Sequence, residues 1–398
     1  MYMHRMAVIM SQISSRVKSV SGSPTVRLAG IIANMKAKGQ NIVSFAVGEP
    51  DFPTPNHIVE AAKKALDEGF TKYTSSFGIP ELREAVADKS VKENKIPAKP
   101  ENVLIAPAKY CIFMAVMSLV ENGDEVIIPD PCWISYEPIV RLAGGKPVLV
   151  QATEDTNFEL SPDNVADAIT NKTRMMIINT PSNPGGSVFS IDTIKGLTDL
   201  TKDHDLYMVS DEIYDKLIYD GEHYSPASFD RMFERTVTVN GFSKTYSMTG
   251  WRVGWLITSK DLVNEISKIQ EHSITCVTAF VQKAALAALK GPDSSIKSMV
   301  KEFRTRRDMM MTGLKRLDIF ELQVPQGAFY LFPSYSLNMD SNTLAERFLN
   351  DANVAVTPGI AFGPSGERHV RFSYATSREE IEKGLQNIES ALEKIGKG

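Results

Sequence analysis

Residues 241–254 read GFSKTYSMTGWRVG, and the rest of the chain is best read outward from them. Lys244 stands among Ser243, Thr245, Tyr246 and Ser247, on a turn directly after the apolar run Thr236 to Val239. Such a lysine is partly desolvated and held by its neighbours, and a desolvated amine is a nucleophile toward an aldehyde. Arg252, eight positions later, offers a planar fork of donors suited to a phosphate, and Ser243 offers a hydroxyl to the same oxygens. One turn can thus grip a phosphorylated aldehyde at both ends. Taken alone, a Ser-Lys pair is as consistent with a solvated turn lysine, and Arg252 with an ordinary surface charge.

The pattern around this turn sets the architecture. From Asn102 onward, the short apolar runs NVLIAP, EVIIP, KPVLV, RMMIIN, LYMVSDE, TVTVN and VGWLIT alternate with helices predicted over 109–121, 133–143, 161–170 and 190–203. Continuous Val, Ile and Leu runs imply strands covered on both faces, hence an α/β fold with a mostly parallel sheet and helices on each side. Chemistry then belongs just after the strands, where Asn183, Asp211 and Lys244 fall. On its own Asp211 also reads as a helix N-cap, and PSNPGG at 181–186 as a plain turn. A helical region from Lys260 to about Leu317, broken near Gly291-Pro292, carries the chain out of the sheet. GAFYLF, a helix over 341–351, VAVTPG, HVRFSYA and a helix from Ser377 to about Lys394 make a smaller mixed unit. The start, with helical spacing over 24–38 and a strand from Asn41 to Val47, joins that unit. The expected division is a large domain over 48–290 and a small α/β domain built from 1–47 and 291–398.

Composition removes several classes. The chain has 398 residues, 43% hydrophobic, enough for two cores. A net charge of −4 with no basic run gives no general attraction to nucleic acid or anionic membrane. No apolar run reaches the ~18 residues of a membrane span. The three cysteines, Cys111, Cys132 and Cys276, form no CxxC pair, and the six histidines show no metal-ligand spacing. No metal is expected, and the histidines read as surface or packing residues.

The string Ser243-Lys244, a short spacer, then Met248, Gly250, Trp251 and Arg252 resembles the cofactor-lysine motif of the class I (fold type I) pyridoxal-phosphate-dependent aminotransferases, the aspartate aminotransferases in particular. GEPDFPTP at 48–55, Tyr73 with Gly78 and Leu82-Arg83, the Asn183 loop, Asp211-Glu212-Ile213-Tyr214 and Arg371-Phe372-Ser373-Tyr374-Ala375 match further motifs of that family in order, from about residue 15 to 395. The resemblance implies pyridoxal 5'-phosphate held by Lys244 as an imine, with the freed amine moving the α-proton. It gives Asp211 the ring nitrogen, Tyr214 and Asn183 the phenolic oxygen, Trp133 the ring face, and Ser243 and Arg252 the phosphate. It gives Arg371 the substrate α-carboxylate, Gly48 a close backbone approach to that carboxylate, and Tyr73 the phosphate of a partner subunit, hence a homodimer with shared active sites.

The departure lies in IAPAKYCIF at 105–113, where the bacterial-type aspartate aminotransferases carry Gly-Gly/Ala-Lys-Gln. Pro107 stands for the first glycine and Tyr110 for the glutamine. A first-turn proline removes an N–H the helix would not use, so Ala108 and Lys109 still present theirs to the phosphate. In that subgroup the lysine also reads the distal carboxylate, so Lys109 points to an acidic donor. The expected reaction moves an amino group from an amino acid, aspartate first, to a 2-oxo acid such as 2-oxoglutarate. An aromatic or broad-specificity aminotransferase and a β-lyase share the same constellation. A cofactor-binding transcriptional regulator needs a DNA-binding module that the 40-odd residues before the first motif are too few to hold. Arg5, Arg16, Lys18, Arg27, Lys36 and Lys38 precede the first acid, Glu49, among many serines, as in a transit peptide. The resemblance leaves little to remove, so a cytoplasmic protein with a loose first nine residues is expected.

Overall fold

The computed structural model describes residues 13–395, and the first nine residues lie outside that range. A seven-stranded sheet is ordered Val103–Ile105, Gly254–Ile257, Thr236–Gly241, Tyr207–Asp211, Thr173–Asn179, Glu125–Asp130, Lys146–Gln151. The last five run parallel, as the apolar runs imply. Gly254–Ile257 runs against both its neighbours. The reason is chain length: residues 242–253 are too few for a crossover helix, so the chain returns directly alongside Thr236–Gly241. That return is the Lys244 turn, which is therefore anchored by two paired strands.

Within a buried strand successive side chains face opposite sides. Met175 and Ile177 enter one core, with the helices Ala108–Leu119, Tyr136–Ala143 and Lys260–Glu271. Met176 and Ile178 enter another, with Pro162–Ala168 and Ile191–Asp203. Both faces are thus covered, at about 1.5–3 kcal/mol for each such side chain withdrawn from water. The helices Asn56–Asp67, Pro80–Asn94 and Ala279–Lys290 form a third core beside the Trp255 side of the sheet.

The chain's two ends meet. Val43–Ser44 pairs in parallel with Val354–Ala355, and Val370–Ser373 lies antiparallel between Tyr330–Leu331 and Thr357–Pro358. Phe45, Phe329, Phe348 and Phe372 share a core with Leu314 of the helix Ser294–Arg316. The strand expected over 41–47 is assigned over two residues only, because beyond Phe45 the Ala46 carbonyl is taken by the Arg371 guanidinium at 2.7 Å. The helical region after Lys260 breaks twice: besides the break at Gly291, the chain leaves helix over 272–278 with no glycine or proline. There the N–H groups of Ser273, Ile274 and Thr275 all turn back to the Gln270 carbonyl, with Thr275 at φ 64°.

Candidate active site

The ends of three adjacent strands deliver the site. Asn179 lies opposite Asp211, and the turn after Thr236–Gly241 carries Lys244. They open on a cavity of about 440 Å³ lined by every residue to which the resemblance gives a cofactor or substrate role except Tyr73. Tyr73 is 86% exposed and stands outside it.

Lys244 donates from Nζ to the Gly48 carbonyl at 2.6 Å. Burial pulls its amine down to about 8; Glu49 opposes this, and Arg371 and Arg252 add to it. At Gly48 a Cβ would fall 2.6 Å from the Tyr330 hydroxyl, so the loop lies as close to the site as glycine allows. Asp211 is 5% exposed, and the chain after it forms turns rather than the helix that a capping role would require. Its Oδ2 accepts from the Tyr136 hydroxyl at 2.7 Å and its Oδ1 from Ile213 N–H at 3.3 Å. Burial raises its carboxyl to about 6 even so, the Tyr136 and Ile213 hydrogen bonds opposing and the neighbouring Glu212 adding to the rise. The aspartate thus waits for a cation.

Arg371 is the clearest demand for a ligand. It is buried, stacked between the Tyr330 and Phe362 rings at 4.4 and 4.8 Å. Its Nη1 donates to Asn183 Oδ1 at 3.0 Å, its Nη2 to Ala46 O, and its buried Nε to nothing among the described residues. No carboxylate pairs with it among those residues, and burial lowers its pKa. Tyr214 shares a hydrogen bond with Tyr330, hydroxyl to hydroxyl at 2.9 Å, which fixes both rings at the cavity wall.

At the other end, the helix Ala108–Leu119 points its start at the cavity. Pro107 is its N-cap rather than a first-turn residue, one position earlier than expected. The first helical bonds run from Tyr110 and Cys111 N–H to Pro107 O, which leaves the N–H groups of Ala108 and Lys109 free of helix partners. Gly254 keeps this place open: a Cβ there would sit 3.0 Å from Ala108 N. Ser243 and the exposed Arg252 line the same wall, Arg252 donating to Thr249 O at 2.9 Å. The Lys109 ammonium lies 4.7 Å over the Trp133 ring; burial and then the Arg252 charge lower its pKa. Trp133 in turn meets Tyr136 edge to face at 5.2 Å. Tyr110 turns away to the Ser273 hydroxyl and stacks on Phe113, outside the cavity.

Asn179, Tyr136, Tyr330 and Phe362 are site residues that the sequence reading passed over. Asn179, whose Nδ2 holds the Asp211 carbonyl at 2.9 Å, ends a buried strand just as Asp211 does, so its signal was present. Tyr136 lies three residues after Trp133, at the start of the following helix. Tyr330 and Phe362 carry no local signal, nor do Thr25, Val26 and Ala29, which bring the helix Pro24–Ala37 to the cavity wall.

Comparison with known proteins points the same way. Residues 40–388 match the model of the family described as aminotransferase class I and II. The probable aspartate aminotransferase of Methanocaldococcus jannaschii is 42% identical over 388 residues, covering 96% of this chain and 100% of that one. Aromatic-amino-acid aminotransferase 2 of Thermococcus litoralis is 41% identical, covering 96% and 98%. The solved structure of Thermus thermophilus aspartate aminotransferase with maleate superposes with a TM-score of 0.92 at 38% identity, covering 95% and 99%. A family match across this span, on an α/β fold whose strand ends gather the motif residues around one cavity, makes the chain a member of the class I and II aminotransferases.

Proposed function

We propose that this aminotransferase uses pyridoxal 5'-phosphate and moves the amino group of a dicarboxylic amino acid, aspartate first, to a 2-oxo acid such as 2-oxoglutarate. One observation carries the choice of substrate: Arg371 and Lys109 both face the cavity that holds Lys244, and neither has an acidic partner among the described residues. Arg371 is buried, where a cation with no anion is costly, and Lys109 stands exposed at the cavity's other side; a substrate with a carboxylate at each end supplies an anion to both. The Thermus relative with maleate, a dicarboxylate, supports the same reading.

The residues present suit the cofactor. Its phosphate fits the free N–H groups at the start of Ala108–Leu119, with Ser243 and Arg252 beside them. When bound, the cofactor supplies an electron sink that lets the α-proton of an amino acid leave. Asp211, as carboxylate, would hold the ring nitrogen protonated. Asn183 and Tyr214 would hydrogen-bond the phenolic oxygen, and Trp133 would cover the ring face. Lys244 would hold the aldehyde when no amino acid is present, and its amine, once freed, would take the α-proton. Arg371 grips the α-carboxylate beside the Gly48 loop. Residues 48–290 serve as the large cofactor domain, and 1–47 with 291–398 as the small one.

Lys109→Ala tests the substrate. It is expected to lower kcat/KM for aspartate about ten- to a hundred-fold or more, in line with ~2–5 kcal/mol for truncating one partner of a buried charge pair, and to alter alanine or phenylalanine much less. Equal losses for all donors would assign Lys109 to the phosphate or the fold. Preference of the wild-type protein for aromatic donors would favour the reading the Thermococcus relative suggests. Oxo-acid release without an acceptor would favour a β-lyase.

The active unit is a homodimer. Tyr73, 86% exposed and outside the cavity of its own chain, serves the phosphate of the partner. The protein is expected to sediment as a dimer at assay concentration, and Tyr73→Phe to weaken cofactor affinity about tenfold, as for one hydrogen bond to a charged group. A fully active monomer contradicts this. A cytoplasmic location fits the three cysteines, all free; no helix among the described residues is long and apolar enough to cross a membrane.

A further inference from the structure

The turn that carries Asp211 and Tyr214 is unusually acidic for its depth. Asp211, Glu212 and Asp215 are 5%, 0% and 8% exposed. Buried carboxylates need cations or donors, and these three are served differently. Asp215 Oδ2 meets Lys89 at 2.9 Å, from the helix Pro80–Asn94, and Asn94 at 3.3 Å. Glu212 Oε1 accepts from the hydroxyls of Ser210 at 3.0 Å and Ser225 at 2.7 Å. Its Oε2 faces Nε2 of His223 at 2.9 Å, and no lysine or arginine reaches it among the described residues. Of the two readings open to the histidines, surface or packing, His223 takes the second: its side chain is 7% exposed, against a fully buried carboxylate.

We propose that His223 is a positioning residue for Asp211 and Tyr214, present as an imidazolium that neutralises Glu212 behind the cofactor site. The 2.9 Å approach of Nε2 to a fully buried carboxylate that no lysine or arginine reaches among the described residues supports the second proton. His223 Nδ1 and Asp215 Oδ1 are both buried without a hydrogen-bond partner among the described residues. The charges of Glu212 and Asp215 both favour the cationic ring over the neutral one. Lys89 opposes the proton, and Glu93, 3.2 Å from Lys89 and 2.9 Å from Lys216, offsets part of that charge. Burial depresses the imidazole, but Glu212 and Asp215 outweigh it and Lys89, leaving its pKa above the ordinary value.

The consequence reaches the site through Asp211. Glu212 already raises the Asp211 carboxyl, and a Glu212 charge without its cation raises it further. Asp211 would then hold a proton when the reaction proposed above, on which this inference rests, needs it ionised. The same turn places Tyr214, since Glu212 N–H donates to Val239 O at 2.8 Å and Ile213 N–H to Asp211.

The test pairs His223→Gln with Glu212→Gln/His223→Gln. In cofactor-free wild-type protein, nitrogen NMR of the imidazoles, with the His223 resonances identified by their loss in His223→Gln, is expected to show both ring nitrogens protonated at pH 7. His223→Gln is expected to move the acid limb of the kcat profile up by about one pH unit, as a nearby charge does, with KM for the donor changed less than about twofold. The double variant, which removes both charges, is expected to restore the wild-type limb. A neutral His223 at pH 7, an unmoved limb in the single variant, or a double variant as impaired as the single one would each overturn the proposal. If His223→Gln alone does not fold, the double variant carries the comparison: folding with a wild-type limb supports the proposal, and failure to fold overturns it. The NMR measurement needs no cofactor, so its failure is separate from failure of the aminotransferase reading, which shows as absent turnover in the wild-type chain.

Discussion

Lys244→Ala is expected to lower transamination by at least about 10²–10⁴-fold, the range for a positioned acid-base group, and to remove the visible absorbance of cofactor joined to the lysine. The loss should come without unfolding, because among the described residues the Lys244 side chain makes a single hydrogen bond, to Gly48 O, on a turn anchored by the paired Gly241 and Gly254. An unchanged melting profile beside the lost absorbance checks this. Retained absorbance that borohydride fixes to another lysine would sink the assignment. The pH dependence has a definite sign. Burial sets the amine at about 8, so below that pH a growing share is protonated and cannot attack an aldehyde. Covalent capture of pyridoxal phosphate by the cofactor-free chain should therefore slow as pH falls from 9 to 7. A solvated lysine would show the same slowing about two units higher.

Why was so much of the site legible, and the remainder not? Lys244, Asp211 and Asn183 each follow an apolar run, and in a parallel sheet the end of such a run is where a side chain can be buried and still reach a ligand. That argument depends on local order alone. The reversed direction of Gly254–Ile257 was hidden because an apolar run reads the same in either sense; only the shortness of 242–253 betrays it. Tyr330 and Phe362 enclose Arg371 from segments with no motif of their own, so their part exists only after the two ends of the chain meet. His223 shows the opposite failure. It stands twelve residues after Asp211, and nothing in the spacing reveals that Glu212, which no lysine or arginine pairs with among the described residues, lies against it. Tyr73 lies beyond what one chain can display, since its proposed ligand belongs to a second copy.

Asp211→Asn should separate stability from function. In the cofactor-free protein the Asp211 carboxyl sits at about 6 against a reference of 3.8. Its folded pKa is raised, so the folded state binds the proton more tightly, and stability falls as pH climbs from about 4 to about 6 and stays lower above. A two-unit shift corresponds to ~3 kcal/mol at neutral pH, of which the asparagine recovers part, because its amide meets the Tyr136 hydroxyl less well than a carboxylate does. Empty Asp211→Asn is therefore expected to melt at or above the wild-type temperature at pH 7, with that advantage vanishing near pH 4. Turnover should fall by on the order of 10² or more, because preorganised charge opposite a reacting ring is usually a major contribution. Loading with pyridoxal phosphate should reverse the order of stabilities, since only the carboxylate gains a cationic partner. Near-wild-type turnover in the variant would mean that the ring nitrogen is not held there. A variant less stable than wild type at pH 7 both with and without cofactor would mean that Asp211 serves the fold through Tyr136 and Ile213 rather than waiting for a cation.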